Sequence, residues 1–350
     1  TPEPIWGGIL EQQGVHGVET TYIELPKEFA RKGYDVFLFC NTAQEHVYDG
    51  VYYIPYQNLG NYLCLEPDVI ITSRWFDALY QENKAKKIIW LQDAHFADPN
   101  RPDAFQVADA VVCSSLWHRC YIAERFEHGI DADKINIIPL GIRKELFAQA
   151  VEKIPKKVIY SSNPDRGLYI LADMWEELTG KIHGINLTIC YGWEGLSTWN
   201  KSEEWQRSVE GQKAALMNKL GDYENVRFTG RITKKQLAKE MLESEMLLYP
   251  NNFWETFCLT ALEAQIAGTP IITTDMGALT NTVDRELNFL LKGSPYSSEY
   301  KRSFIAQSEA LLNNPNLLKD YQMKNRTKFM NADCDWTDVV ERWEKLIWSL

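Results

Sequence analysis

NNFWETFCLTALEAQIAGTPIITTD occupies residues 251–275 and carries three elements in succession: a polar loop, a helix and a buried strand. Glu255 and Thr256 stand where the helix is expected to begin, because acidic and hydroxyl side chains suit the positive end of the macrodipole. Leu259, Ala261, Leu262 and Ile266 supply its apolar residues, and Ala261, Ala264 and Ala267 permit close packing. Gly268 is a stop signal, Pro270 forbids continuation, and Ile271 and Ile272 open a strand. If the whole stretch is helical, Glu255 and Glu263 lie roughly 12 Å apart. That exceeds the about 5–9.5 Å of a facing glycosidase pair, but suits the two ends of one elongated ligand. The helix N-terminus between them would offer N–H groups to an anion. Taken alone, the same residues also read as an acidic helix start and an exposed mid-helix Glu.

The wording around the two carboxylates is more specific than their spacing. Glu-x7-Glu within ETFCLTALEAQIAGTPII resembles the signature of the retaining glycosyltransferases of family four, with Cys258 at the usual Gly position. The resemblance implies an α/β chain with the GT-B fold, two Rossmann-like domains facing each other across a cleft. Residues 1–150 would form the acceptor-binding domain and 151–331 the nucleotide-sugar domain. The apolar face of the tail (Trp336, Val339, Val340, Trp343, Leu346 and Ile347) would form a helix, residues 332–350, crossing back onto the first domain.

Composition agrees with such a protein and excludes others. A chain of 350 residues exceeds the size at which single cores stop growing. No run approaches the roughly 20 apolar residues of a membrane helix. The net charge of −11, with −8 of it in the first 150 residues, gives no global attraction for nucleic acid and at most peripheral membrane contact. The run Lys84-Ala85-Lys86-Lys87 reads as a solvated turn. Seven cysteines without a C-x-x-C pair fit a reducing cytoplasm. Six scattered histidines without ligand spacing predict no metal site. Twelve tryptophans must largely be core, although sugar-handling clefts also favour aromatic faces.

In the first half, helical periodicity over 19–32 precedes strand candidates at 35–40, 51–54, 68–72, 88–91, 110–113 and 135–138. That alternation predicts a covered parallel sheet. Pro26 should kink the first helix. GVETTYIELPKEFARKGYDVFLF resembles the family's opening helix and second strand, but its glycine pair is split into Gly14 and Gly17, and no clear strand precedes Gly14. Either the native N-terminus is missing or the family's first strand is abbreviated. IIWLQDAHF resembles the strand whose end carries a catalytic-region His. Gln92 stands at that position, and His95 is the acceptor-side candidate against a plain loop His. Ser114 reads as a helix cap, and Gly141 marks the linker.

In the second half, KVIYSSNPDRGLYIL resembles the turn in which a basic residue reaches the donor diphosphate. Arg166 fills that role, through the planar fork that suits phosphate oxygens, while Ser161 replaces a second family Arg. Gly192 and Arg231 end strand-like segments near the expected base. The resemblance then divides the work. Glu263 binds the ribose, and Glu255 with the N–H groups of Thr256, Phe257 and Cys258 holds the sugar. Gly17 lies by the phosphates, and Arg166 neutralises the leaving diphosphate. The expected activity is metal-independent retaining transfer of a sugar from a UDP or GDP donor to a hydroxyl of a glycan or glycoconjugate, with no cofactor. A GT-B epimerase or phosphorylase, and a non-catalytic partner subunit, stay open.

Overall fold

The computed structural model describes residues 3–62, 64–94, 103–125, 130–193, 200 and 202–350. Among the described residues the first half forms seven strands, β1 (Val36–Cys40), β2 (His46–Tyr48), β3 (Val51–Pro55), β4 (Val69–Thr72), β5 (Lys86–Trp90), β6 (Ala110–Cys113) and β7 (Ile135–Ile137), and all but β2 fall on the strand candidates of the sequence. They make two sheets. β1 pairs in parallel with β3, and the antiparallel β2, which the periodicity did not announce, closes the order β1-β3-β2. β4-β5-β6-β7 is wholly parallel, and its β6 is buried along its full length, as a strand covered on both faces should be.

Among the described residues, the segment before Gly14 joins neither sheet. Among the described residues before Gly14 there is no strand; Ile9–Gln12 is a single helical turn, entered through Gly8 at φ 82°. Ile5 N–H donates to Asn41 O at 2.8 Å and Gly7 N–H to His46 Nε2 at 3.0 Å, which ties this segment to the ends of β1 and β2. The helix Gly17–Arg31 continues through Pro26, so the expected kink does not interrupt it. Lys86 and Lys87 belong to β5 rather than to a solvated turn, and Lys86 Nζ donates to Ile347 O at 2.5 Å.

The second half forms one six-stranded parallel sheet: β8 (Lys157–Tyr160), β9 (Asn186–Ile189), β10 (Val226–Phe228), β11 (Met246–Tyr249), β12 (Ile271–Thr274) and β13 (Phe289–Leu291). Its order, β10-β9-β8-β11-β12-β13, reverses direction between β8 and β11. In an open parallel sheet, ligands bind outside the carboxyl ends of the strands at that reversal. The segments leaving β8 and β11 there are the ones that carry Arg166 and Glu255.

The tail closes the molecule. The helix Trp336–Ser349 packs on the helix Gly17–Arg31, Trp343 meets Trp90 edge to face at 5.3 Å, and Lys32 pairs with Glu344 at 2.6 Å. Ile142 N–H donates to Cys334 O, which zips the connector to the start of this helix. Gly141 is required there, since a Cβ would come within 2.8 Å of the Trp336 ring. One buried cluster runs through Leu25, Trp90 and Val112 of the first half into Val158, Leu247 and Trp175 of the second.

Candidate active site

β11 is buried along its length and delivers Tyr249 to the reversal point. The chain then turns on Asn251, whose side chain donates to Phe253 O at 2.6 Å and accepts from Phe253 N–H at 3.1 Å. This turn presents Glu255, only 8 % exposed, to two donors on one oxygen: Tyr249 Oη at 2.7 Å and Arg166 Nη1 at 3.1 Å. Burial, and then the neighbouring carboxylate, push the Tyr249 phenol well above its usual range, so it stays protonated and donates. Arg166 comes from the turn after β8. Burial lowers its tendency to stay charged, but Glu255 and the other acidic neighbours outweigh that and raise it. Its guanidinium lies 3.6 Å from the Phe253 ring centre, a cation–π arrangement. Its Nε is buried with no partner among the described residues. Gly167 makes this approach possible: its φ is +106°, and a Cβ would sit 2.2 Å from Pro250 O.

The helix starts later than its sequence suggests. It spans Leu259–Ile266, so Glu255 and Thr256 lie in the preceding loop rather than in its first turn. The 12 Å separation inferred from a continuous helix therefore does not apply. Cys258 stands at the N-cap with φ 76°, a conformation that favours glycine. That explains why the family pattern has Gly there, and Cys258 holds it under strain. Its buried thiol is pushed well above the ordinary range by burial and then by Glu255. Phe257 is buried beside it. Glu263 projects from the helix at 5 % exposure; Lys234 Nζ donates to its Oε1 at 2.7 Å, and its Oε2 is buried with no partner among the described residues.

The first half closes directly on this loop. Thr256 Oγ1 donates to Gln92 O at 2.7 Å, and Thr256 O accepts from Ser115 Oγ at 2.8 Å and Ser114 Oγ at 3.3 Å. The cap of the helix Leu116–Arg125 is Ser115, not the expected Ser114, because Ser115 Oγ accepts from His118 N–H at 3.0 Å. Gln92 Oε1 accepts from Thr21 Oγ1, and Asp93 takes a two-pronged bond from Arg74 at 2.5 and 2.7 Å. His118 is fully buried behind Ser114, and burial pulls its pKa down to about 4, so it is neutral. His95 lies outside the described residues.

Arg231 follows β10 and is bonded to the N-terminal segment. Both of its Nη atoms donate to Glu3 at 3.1 Å, and its guanidinium lies 5.7 Å from the Tyr191 ring centre. His16 Nε2 lies 3.1 Å from Glu3, and its Nδ1 bonds Tyr191 Oη. Burial pushes the Glu3 carboxyl up, but bonds from His16 and Arg231 outweigh it and hold it down at about 2. Of the split glycines, Gly14 is the one that needs its missing side chain, since a Cβ would lie 2.5 Å from Ile232 O. A Cβ at Gly17 would make only an ordinary 3.5 Å contact with Leu259. Gly192 is buried at the carboxyl end of β9, next to Tyr191. Tyr249, Lys234 and Glu3 escape a reading of the sequence. None has a local motif, and each meets its partner only through the fold.

A parallel sheet reversing at the strands that carry Arg166 and Glu255, closed by a second α/β half and a returning tail helix, is the GT-B fold. Solved structures agree on that fold. Sucrose-phosphate synthase from Thermosynechococcus elongatus superposes with a TM-score of 0.72 at 18 % identity, covering 96 % of this chain and 94 % of that one. A glycosyltransferase from Rickettsia africae gives 0.71 at 15 % identity over 95 % and 94 %. Anabaena HepE, in complex with UDP and glucose, gives 0.70 at 16 % identity over 96 % of each chain. The chain belongs to the family described as glycosyl transferases group 1, whose model matches residues 145–328. Among curated proteins, D-inositol 3-phosphate glycosyltransferase of Streptomyces scabiei is 37 % identical over 79 residues, 22 % of this chain and 18 % of that protein. An uncharacterized 41.2 kDa protein in the cps region of Klebsiella pneumoniae is 35 % identical over 68 residues, 19 % of each. The chain thus spans less than a fifth of the length of these curated relatives.

Proposed function

We propose that this protein transfers a sugar, with retention and without a metal ion, from a nucleoside-diphosphate donor to a hydroxyl of a glycan or glycoconjugate. The observation that carries the reading is a pair of unfulfilled buried groups: Nε of Arg166, the residue that bonds Glu255, and Oε2 of Glu263, on the helix that follows the Glu255 loop. A buried donor and a buried acceptor without partners are each costly. A diphosphate and a ribose hydroxyl would satisfy them in one ligand. In this reading Glu263 Oε2 accepts from the ribose, and Arg166 takes the charge that develops on the departing diphosphate. Glu255, held by Tyr249, binds the sugar with the backbone N–H groups of Thr256, Phe257 and Cys258. The donor phosphate itself takes the acceptor proton on the same face.

Residues 1–150 are taken as the acceptor side and 151–331 as the donor side. Among the described residues no helix is long and apolar enough to cross a membrane. Seven free thiols, two of them exposed, support a cytoplasmic setting as part of the proposal. The test is thermal stability against UDP, GDP, ADP and dTDP, each with and without EDTA. At a hundredfold excess over Kd a ligand stabilises by about 2.7 kcal/mol. UDP or GDP should raise the midpoint equally in both conditions. No response to any nucleotide would overturn the reading, and a response abolished by EDTA would remove its metal-free part.

A further inference from the structure

Three aromatic rings from the two halves of the chain meet beside the Glu255 loop. Trp117 and Tyr121, one turn apart on the helix Leu116–Arg125, stack with centroids 5.0 Å apart and planes at 20°. Trp254 meets them at 5.5 and 5.8 Å with planes at 64° and 62°, the edge-to-face geometry favoured by ring quadrupoles. Yet Trp254 is 50 % exposed, although the next residue is the buried, doubly bonded Glu255.

The backbones that carry these rings are tied together. Trp117 N–H donates to Asn281 Oδ1 at 2.7 Å. Gly277 packs so closely on the loop that a Cβ would lie 2.9 Å from Glu255 N and 3.3 Å from Trp254 C. Polar groups stand close by in the same loop. Asn252 Nδ2 donates to the phenol of the exposed Tyr296 at 2.6 Å, and Asn252 Oδ1 is buried with no partner among the described residues.

A fixed, half-exposed indole, two residues along the loop from an amide oxygen that lacks a donor, suits a pyranose. The ring's C–H face covers the indole, removing apolar area from water, and a hydroxyl can donate to the amide. A nucleobase would also stack, but the proposed reaction assigns the nucleoside to Glu263. We infer that Trp254, braced by Trp117 and Tyr121, is the platform on which an acceptor pyranose lies while it presents a hydroxyl to the sugar held at Glu255. This rests on the proposed transferase activity.

Saturation-transfer NMR with methyl glucopyranosides, galactopyranosides and mannopyranosides, each with and without UDP and GDP, tests it on the full chain. At least one glycoside should receive saturation at its ring protons from the wild type. Trp254→Ala should weaken that glycoside by about tenfold, the scale of one lost aromatic contact, and Trp254→Phe should restore most of it. Nucleotide binding should stay equal in all three, which also controls for folding. Equal glycoside signals in Trp254→Ala, or none in the wild type, overturn the platform even where nucleotide binding stands. Absence of nucleotide binding in the wild type instead overturns the transferase reading.

Discussion

Glu263→Ala separates a structural role from a binding role for the second carboxylate of the motif. Glu263 is 5 % exposed and Lys234's side chain 15 % exposed, and the pair closes at 2.7 Å. Removing one partner of such a buried pair leaves the other uncompensated and costs on the order of 3–5 kcal/mol, so Glu263→Ala should lower Tm by several degrees. The proposed ribose contact at Oε2 is a second, distinct loss. A hydrogen bond to a charged group contributes about 1.5–3 kcal/mol, so nucleotide binding should weaken roughly tenfold to a hundredfold. The double variant Glu263→Ala/Lys234→Met removes the stranded ammonium and should recover much of the Tm, but none of the nucleotide affinity. Calorimetric titration with the stabilising nucleotide, beside a thermal scan of each variant, measures both. A double variant that binds nucleotide as well as the wild type would refute the ribose role and leave Glu263 as half of a structural ion pair.

Other outcomes follow from the same geometry. Tyr249→Phe keeps the ring but removes the 2.7 Å bond to Glu255; kcat should fall by roughly tenfold with nucleotide Kd unchanged, and an unaltered kcat would show that Arg166 alone positions the carboxylate. Cys258→Gly relieves a left-handed residue, a strain of about 1–2 kcal/mol, but loses a buried side chain and gains unfolded-chain entropy, so Tm should change little, whereas Cys258→Val should lower it clearly; equal midpoints for the two would contradict the strain. Glu3 is held at about 2, below its ordinary 4.5, so its bonds stabilise the fold fully above about pH 4.5 and progressively less as pH falls toward 2. The Tm advantage of the wild type over Glu3→Gln should therefore shrink from pH 6 to pH 3; an advantage that grows on acidification would reverse the assignment.

What the sequence determined by itself was local chemistry and order. Strands at 51–54, 110–113 and 135–138 were legible because short apolar runs bounded by turns have few alternatives. The Glu255-to-Pro270 wording was legible because a loop, a helix and a buried strand must follow one another within it. Tertiary structure decided the rest, through contacts between residues far apart in the chain. Cys258's positive φ moved the helix start to Leu259 and took Glu255 out of it. The Glu3 segment claimed Arg231 across 228 positions. Tyr249 and Lys234 became partners of the two carboxylates only when β11 and the helix Lys234–Glu243 packed beside them. Periodicity reports which face of an element is apolar, but a hydrogen bond between distant side chains leaves no period behind. Such pairs are therefore visible only once the chain has closed on itself.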